Sequence, residues 1–220
     1  SLFLSLIVNQ LSATSIEEVG VVASKTKKTL GDTASSISVL RYEDLIRVSP
    51  VHINELLQRT PGVWISRGNG QESLTSVRSP VLTGAGSCGA FLVMQDGVSL
   101  RAPGFCNVNQ LFEGPSEIAE RIEVFRGPNS SVYGSNAVHG VINIITKQPQ
   151  DISKLEFDSF LSSDLEKNVD FYWSPKWDKV DMFLSANLFH MDNFMDDNGD
   201  GFSDEVLSER ISCLLYTSDA

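Results

Sequence analysis

Residues 117–147 read EIAERIEVFRGPNSSVYGSNAVHGVINIITK. Arg121-Ile122-Glu123-Val124 alternates charged and apolar side chains until Phe125 breaks the rhythm, the pattern of a short half-buried strand. Gly127-Pro128 stops it. Ser130 to Tyr133 is long enough for one helical turn, and Gly134 can end that turn with a positive φ. After Asn136-Ala137 and Gly140, Val141 to Thr146 is a β-branched apolar run, the pattern of a more deeply buried strand. Lys147 and Pro149 close it. The stretch therefore predicts strand, Gly-Pro corner, helical turn, glycine loop and strand. A β–loop–β unit of a soluble α/β domain has the same outline.

The residue identities narrow this. Glu123, Arg126, Gly127 and Pro128, then Tyr133, Gly134 and Asn136, then Gly140 and Asn143 fall in an ordered, gap-free series that closely resembles the end of the plug domain of TonB-dependent outer-membrane receptors. Upstream, Asn54-Glu55-Leu56-Leu57 followed by Pro61-Gly62-Val63 fits the same resemblance, as does Leu92-Val93 followed by Asp96-Gly97-Val98. Plug domains usually carry Arg-Gly where this chain has Arg78-Ser79, which makes the turn geometry there an open point. The resemblance runs from about Glu17 to Lys147. It implies an α+β plug domain of mixed short strands and helices, followed by the first antiparallel strands of a transmembrane β-barrel.

Charge divides the chain at the same place. The net charge is −11, yet the first 150 residues balance 12 acidic against 12 basic side chains, while residues 151–220 hold 16 acidic against 5 basic. Two regions with different surroundings are expected, split near Pro149. Nucleic acid is excluded as a partner of the acidic region, because phosphate contacts need Lys and Arg. The chain contains no run of about 18 apolar residues, so no membrane-spanning helix is expected. Leu2 to Val8 followed by Ser12-Ala13-Thr14 has the form of a signal-peptide remnant, although a buried first strand has the same composition.

Glu17, Glu18, Val19, Gly20, Val21, Val22 and Ala23 form an alternating segment. By position and composition it is similar to a TonB box, to which the periplasmic partner TonB adds a strand; an ordinary first strand reads the same way. The expected order is a signal remnant at 1–12, box and linker at 13–34, plug at 35–149 and barrel strands at 150–220. Within the plug, strands are expected near 37–40, 63–66, 74–78 and 91–95. A short helix should open at Tyr42, and a second should have Ser49 as its cap and Pro50 as its first residue.

Beyond Pro149, Leu155, Phe157, Ser159 and Leu161 alternate with polar or mixed neighbours. Val169, Phe171 and Trp173 do the same, as do Val180, Met182, Leu184, Ala186 and Leu188. One apolar face and one mixed face is the pattern of a barrel wall between lipid and a wet lumen, and also of a soluble meander. Trp173, Trp177 and Tyr172 are expected at interfacial strand ends. A charge at Asn187, on the lumen side, should cost little. Residues 212–220 fade as a strand. Receptor barrels have about twenty-two strands, so the chain reads as cut at both ends.

Three smaller patterns remain. Gly84 to Gly89 matches G-x-G-x-x-G, but a strand follows where a dinucleotide site needs a helix N-terminus. Cys88 and Cys106 flank that strand; in an exported protein they would pair, closing a loop worth about 3 kcal/mol, and in a cytosolic one they would be two buried thiols. Asp196, Asn198, Asp200 and Asp204 lie in a calcium-like loop, but Leu207 occupies the position of the bidentate carboxylate; acidic turns of this kind are also ordinary in barrel loops. No cofactor is expected, calcium being the one candidate. There is no nucleophile elbow, phosphate loop or H-E-x-x-H, and His52, His139 and His190 stand apart, so no enzyme is expected. The resemblance implies a receptor in the outer membrane of a Gram-negative bacterium, its plug facing periplasm and barrel lumen. TonB with its inner-membrane energising complex and a small-molecule ligand such as a metal chelate would be its partners, the ligand an iron-siderophore, cobalamin or similar. The competing readings are a secreted calcium-binding β-protein and a soluble nucleotide-binding enzyme.

Overall fold

The computed structural model describes residues 20–21, 28–29, 36–48, 50, 52–67, 72–81, 91–101, 111–149, 154–161, 166–175, 180–191 and 208–219. The chain divides into two units, Ser1–Ala34 and Ser35–Ala220. In the first, β1 (Gly20–Val21) pairs antiparallel with β2 (Lys28–Thr29). The backbone at Gly20 and Val21 is thus extended and already paired. Glu17, Glu18, Val19, Val22 and Ala23 lie outside the described residues.

The second unit opens with β3 (Ser36–Arg41), α1 (Tyr42–Val48), α2 (Asn54–Leu57), β4 (Val63–Arg67) and β5 (Ser73–Val77). It continues with β6 (Phe91–Gln95), β7 (Val98–Ser99), β8 (Ala119–Arg126), α3 (Ser130–Tyr133) and β9 (Gly140–Thr146). Five of these strands make one mixed sheet in the order β3-β8-β9-β6-β7, and β4 and β5 form a separate hairpin. Strand β9 is central, antiparallel to β8 and parallel to β6. All seven of its residues are buried, which is why it reads as a continuous apolar run; a strand covered on both faces has no reason to alternate.

The core gathers Leu56, Leu57, Val77, Val93, Ile122, Val124, Ile142 and Ile144 between the sheet, the hairpin and the two helices. Gly140 starts β9 where nothing larger fits: a Cβ there would lie 2.6 Å from the Phe125 carbonyl oxygen and 2.7 Å from Val77 Cγ1. The second helix differs from expectation. It begins at Asn54, after Ile53, and Pro50 precedes it. His52 Nδ1 accepts the Asn54 N–H at 3.0 Å, so a side chain two residues upstream supplies the acceptor that a capping Ser would have given.

Four strands follow: β10 (Lys154–Leu161), β11 (Glu166–Ser174), β12 (Val180–Met191) and β13 (Ser208–Asp219), an antiparallel meander in sequence order. The expectation that 212–220 fades as a strand is corrected. β13 pairs with β12 along its whole length, from Met191 opposite Ser208 to Val180 opposite Asp219. The ladder satisfies its backbone, and Ile211, Cys213 and Leu215 extend the outward alternation.

The register builds two unlike faces. Leu155 stands opposite Trp173, Phe157 opposite Phe171, Leu184 opposite Leu215 and Leu188 opposite Ile211. These point away from the globule, and Leu155, Phe157, Leu161 and Ile211 are 65–78% exposed. Tyr172, Phe183, Asn187 and Phe189 face the globule and are buried. Tyr172 is therefore no interfacial belt residue as expected; strand parity turns it inward. Trp177 lies outside the described residues.

Candidate functional site

The motif residues gather into three clusters. The first is the β6–β7 turn. Asp96 and Gly97 both have positive φ, 49° and 81°, the hairpin geometry that Asp-Gly favours. The Asp96 carboxylate accepts the Thr146 N–H at 2.9 Å and the Thr146 hydroxyl at 2.7 Å. Gly97 N–H donates to Asn143 Oδ1 at 3.2 Å. Motif residues about 50 positions apart thus lock the turn to the end of β9.

The second cluster holds two guanidinium groups. Arg126 Nη1 donates to the Pro61 carbonyl at 2.8 Å, and Arg78 Nη2 donates to the Ser36 hydroxyl at 3.1 Å. Burial and the neighbouring Arg78 push Arg126 below its usual value, yet an arginine keeps its charge in any folded protein. Arg78 has φ 49°, and its N–H donates to the Gly62 carbonyl at 2.8 Å. At Arg78-Ser79 the arginine itself takes the left-handed backbone.

The third cluster is the corner between β8 and β9. Glu123 is wholly buried and accepts from Arg121 Nε at 2.9 Å. The Tyr133 ring packs against Phe125 at 5.8 Å, and burial, then Glu123, push its hydroxyl up. Gly127 N–H bonds to the His139 carbonyl at 2.8 Å. Gly127 and Gly134 have φ 104° and 93°, backbone that side chains resist. Pro128 is exposed and Asn136 half-buried. The motif is thus mainly a folding device: it builds a corner, a turn lock and a paired-arginine spot.

A fourth cluster, where the globule meets the meander, escaped the sequence reading. Arg210 of β13 donates from Nη1 to the Phe112 carbonyl at 2.9 Å and from Nη2 to Asn187 Oδ1 at 3.2 Å. It also pairs with Glu117. Its guanidinium lies 4.8 Å from the Phe112 ring centroid and 5.7 Å from that of Phe189. The two rings meet edge-on at 5.7 Å, and Met191 completes the apolar patch. Asn187, wholly buried, donates to Asn168 Oδ1 at 2.7 Å and Asp170 Oδ1 at 2.8 Å. The expectation that Asn187 tolerates a charge is corrected: its amide donors hold two acceptors that a carboxylate would lose. Burial pushes the Glu117 carboxyl up, against the pull of Arg210.

Lys147 makes a second tie. Its Nζ donates to the Tyr172 hydroxyl at 2.9 Å and the Tyr42 hydroxyl at 3.4 Å, and lies over both rings at 3.9 and 4.5 Å. Beside it a cavity of about 450 Å³ opens between α1 and strands β10 and β11. Among the described residues, Glu117, Asp158, Glu166 and Asp170 line it against the one cation of Lys147. The sequence marks one member of this junction, since Arg210 is the one basic residue in 201–220, but not its partners.

Among the described residues no three His, Cys, Asp or Glu side chains are grouped to hold a metal. Asp196, Asn198, Asp200 and Asp204 lie outside them, as do Cys88 and Cys106 and the Gly84–Gly89 loop. No helix among the described residues is long and apolar enough to cross a membrane, which says nothing of strands.

Comparison with known proteins agrees with this architecture. The family model for the TonB-dependent Receptor Plug Domain matches residues 29–141, just over half of the chain, and the chain belongs to that family. Among solved structures it is similar to Pseudomonas aeruginosa FpvA bound to heterologous pyoverdines (TM-score 0.66, 19% identity, covering 80% of this chain and 23% of that one). It is also similar to the ferric yersiniabactin uptake receptor FyuA of Yersinia pestis (0.62, 21%, 83% and 28%). A third is the ferric-catecholate import receptor Fiu of E. coli (0.62, 18%, 86% and 25%). The present chain spans about a quarter of the length of these structures. The fold is therefore a receptor plug followed by antiparallel strands.

Proposed function

We propose that this chain is the plug and the first four wall strands of a TonB-dependent outer-membrane receptor that imports a ferric chelate. The observation that carries the reading is the two-faced meander. Its inner face is bonded to the plug through Tyr172 and Arg210, and its outer face is an apolar surface that water does not suit. Lipid outside and a polar, plugged lumen inside is the arrangement such a wall requires. The similar structures include a ferric yersiniabactin uptake receptor, a ferric-catecholate import receptor and a protein bound to pyoverdines, which supports an iron chelate over cobalamin.

In this reading the segment around Gly20–Val21 is where TonB adds a strand. Its present pairing with Lys28–Thr29 would be exchanged for the partner's. Energy comes from the inner membrane, and the plug's own residues bind and move without making or breaking covalent bonds. The test is radioactive iron, presented as hydroxamate, catecholate and carboxylate chelates, to iron-starved cells expressing the complete receptor. Accumulation from one chelate class, lost without TonB and lost with Val21→Pro, which removes a backbone donor, is expected. Uptake indifferent to TonB would overturn it.

A further inference from the structure

The junction at Arg210 goes beyond a receptor plug resting inside a barrel. Arg210 is the one charged side chain of β13 turned to the plug whose contacts the structure describes, and three kinds of interaction converge on it. Its guanidinium is placed against the Phe112 ring from the plug and the Phe189 ring from β12. It donates to a plug main-chain carbonyl at Phe112 and to Asn187 of the wall. It is paired with Glu117, 93 positions away in sequence. Asn187 is in turn fixed by Asn168 and Asp170, so the acceptor it offers Arg210 is held in place.

A planar guanidinium suits this setting and an ammonium does not: it can stack on rings and donate in two directions at once. Both charges lie in a poorly solvated place. Moving the plug corner away would take the Phe112 ring and carbonyl and the Glu117 carboxylate from Arg210 and leave it against Phe189 alone, which is the expensive way to break a buried pair.

We propose that Arg210 is the positioning residue that keys the plug to the fourth wall strand, and that the corner 111–117 stays seated for as long as its pair with Glu117 is closed. This rests on reading 154–219 as barrel wall.

The test uses the complete receptor in outer-membrane vesicles, with no ligand. A cysteine is placed at Ser116, which is buried beside Glu117, or at Ser76, which is buried in β5. Both are reacted with a membrane-impermeant maleimide in a background where the native cysteines are Ala. Arg210→Ala should raise the labelling rate at 116 by about tenfold, the factor expected when roughly 1.4 kcal/mol of local closure is lost, and leave the rate at 76 unchanged. Arg210→Lys, which keeps the charge but loses the planar fork, should give a rate between those of the parent and Arg210→Ala. Unchanged labelling at 116 in Arg210→Ala overturns the proposal. So does an equal rise at 76, which would mean general unfolding, or an Arg210→Lys rate as high as that of Arg210→Ala, which would mean that the charge pair contributes nothing. A spin label on Cys213 of the same intact receptor separates the underlying reading: a label reached by oxygen and shielded from a water-soluble nickel chelate supports the wall, and one exposed to the chelate refutes the barrel and the anchor with it.

Discussion

Strands β9 and β10 are nearly the same length and differ in almost everything else. All seven residues of β9 are buried, Asn143 and Thr146 included. Of the eight residues of β10, seven are exposed, Leu155, Phe157, Phe160 and Leu161 among them. A strand clothed on both faces by its own chain reads as a plain apolar run. A strand that alternates, yet leaves its apolar phase bare, is written for a surrounding other than water. The plug closes its core from within, whereas the meander, in the proposed reading, has lipid on one side and the plug on the other. The contrast teaches that the two regions should fail for different reasons.

The largest effect is expected inside the plug. Phe125 is wholly buried, on the strand beside β9. Phe125→Ala should cost about 3–5 kcal/mol in denaturant titrations of the plug, whether or not lipid is present. A wall residue should behave oppositely. Leu184→Arg, on the outer face, should cost about 2–4 kcal/mol in bilayers and much less in a detergent-free, partly folded form. Equal costs in both media would erase the contrast.

A smaller effect belongs to the turn lock. Asp96→Ala removes the acceptor for both Thr146 groups and puts Ala at a positive φ, so a loss of about 2–3 kcal/mol is expected. Asp96→Asn, which tolerates that φ and still accepts, should recover more than half of it.

The smallest concerns pH. Burial holds the Glu117 carboxyl above its usual range in the folded state. The folded protein therefore binds that proton more tightly than the unfolded chain does. The stability this group contributes is fully present below the ordinary carboxyl value of about 4.3 and is lost as pH rises through the folded value. Thermal melts of Glu117→Gln should show a shallower decline across that window than the parent protein.

Much of this was legible in the sequence because periodicity reports burial. The run Val141 to Thr146 announced a fully covered strand, and the parity of Val180 to Leu188 announced a two-faced one. The glycine corners were legible too, since Gly127 and Gly134 do adopt positive φ. The junction was not. Arg210, Glu117 and Phe112 meet across about 90 residues of chain, and no local pattern records which inward side chain faces which plug residue. The helix start was missed because His52 took a role usually given to Ser or Asp. The end of β13 was missed because its polar residues, Ser212, Thr217 and Ser218, weaken the periodic signal. Its ladder with β12 rests on backbone groups that have no sequence signature.

Cys213 offers the most direct test of the central claim, that the meander is a membrane wall with the plug on its inner side. It is free, exposed and opposite Ala186 on the outer face. A spin label there, in the complete receptor in lipid vesicles with Cys88 and Cys106 replaced by Ala, should relax strongly with dissolved oxygen and weakly with a water-soluble nickel chelate. A label at Ser185, one residue along on the plug side, should be shielded from both. Strong relaxation of the Cys213 label by the nickel chelate would place that face in water and contradict the account.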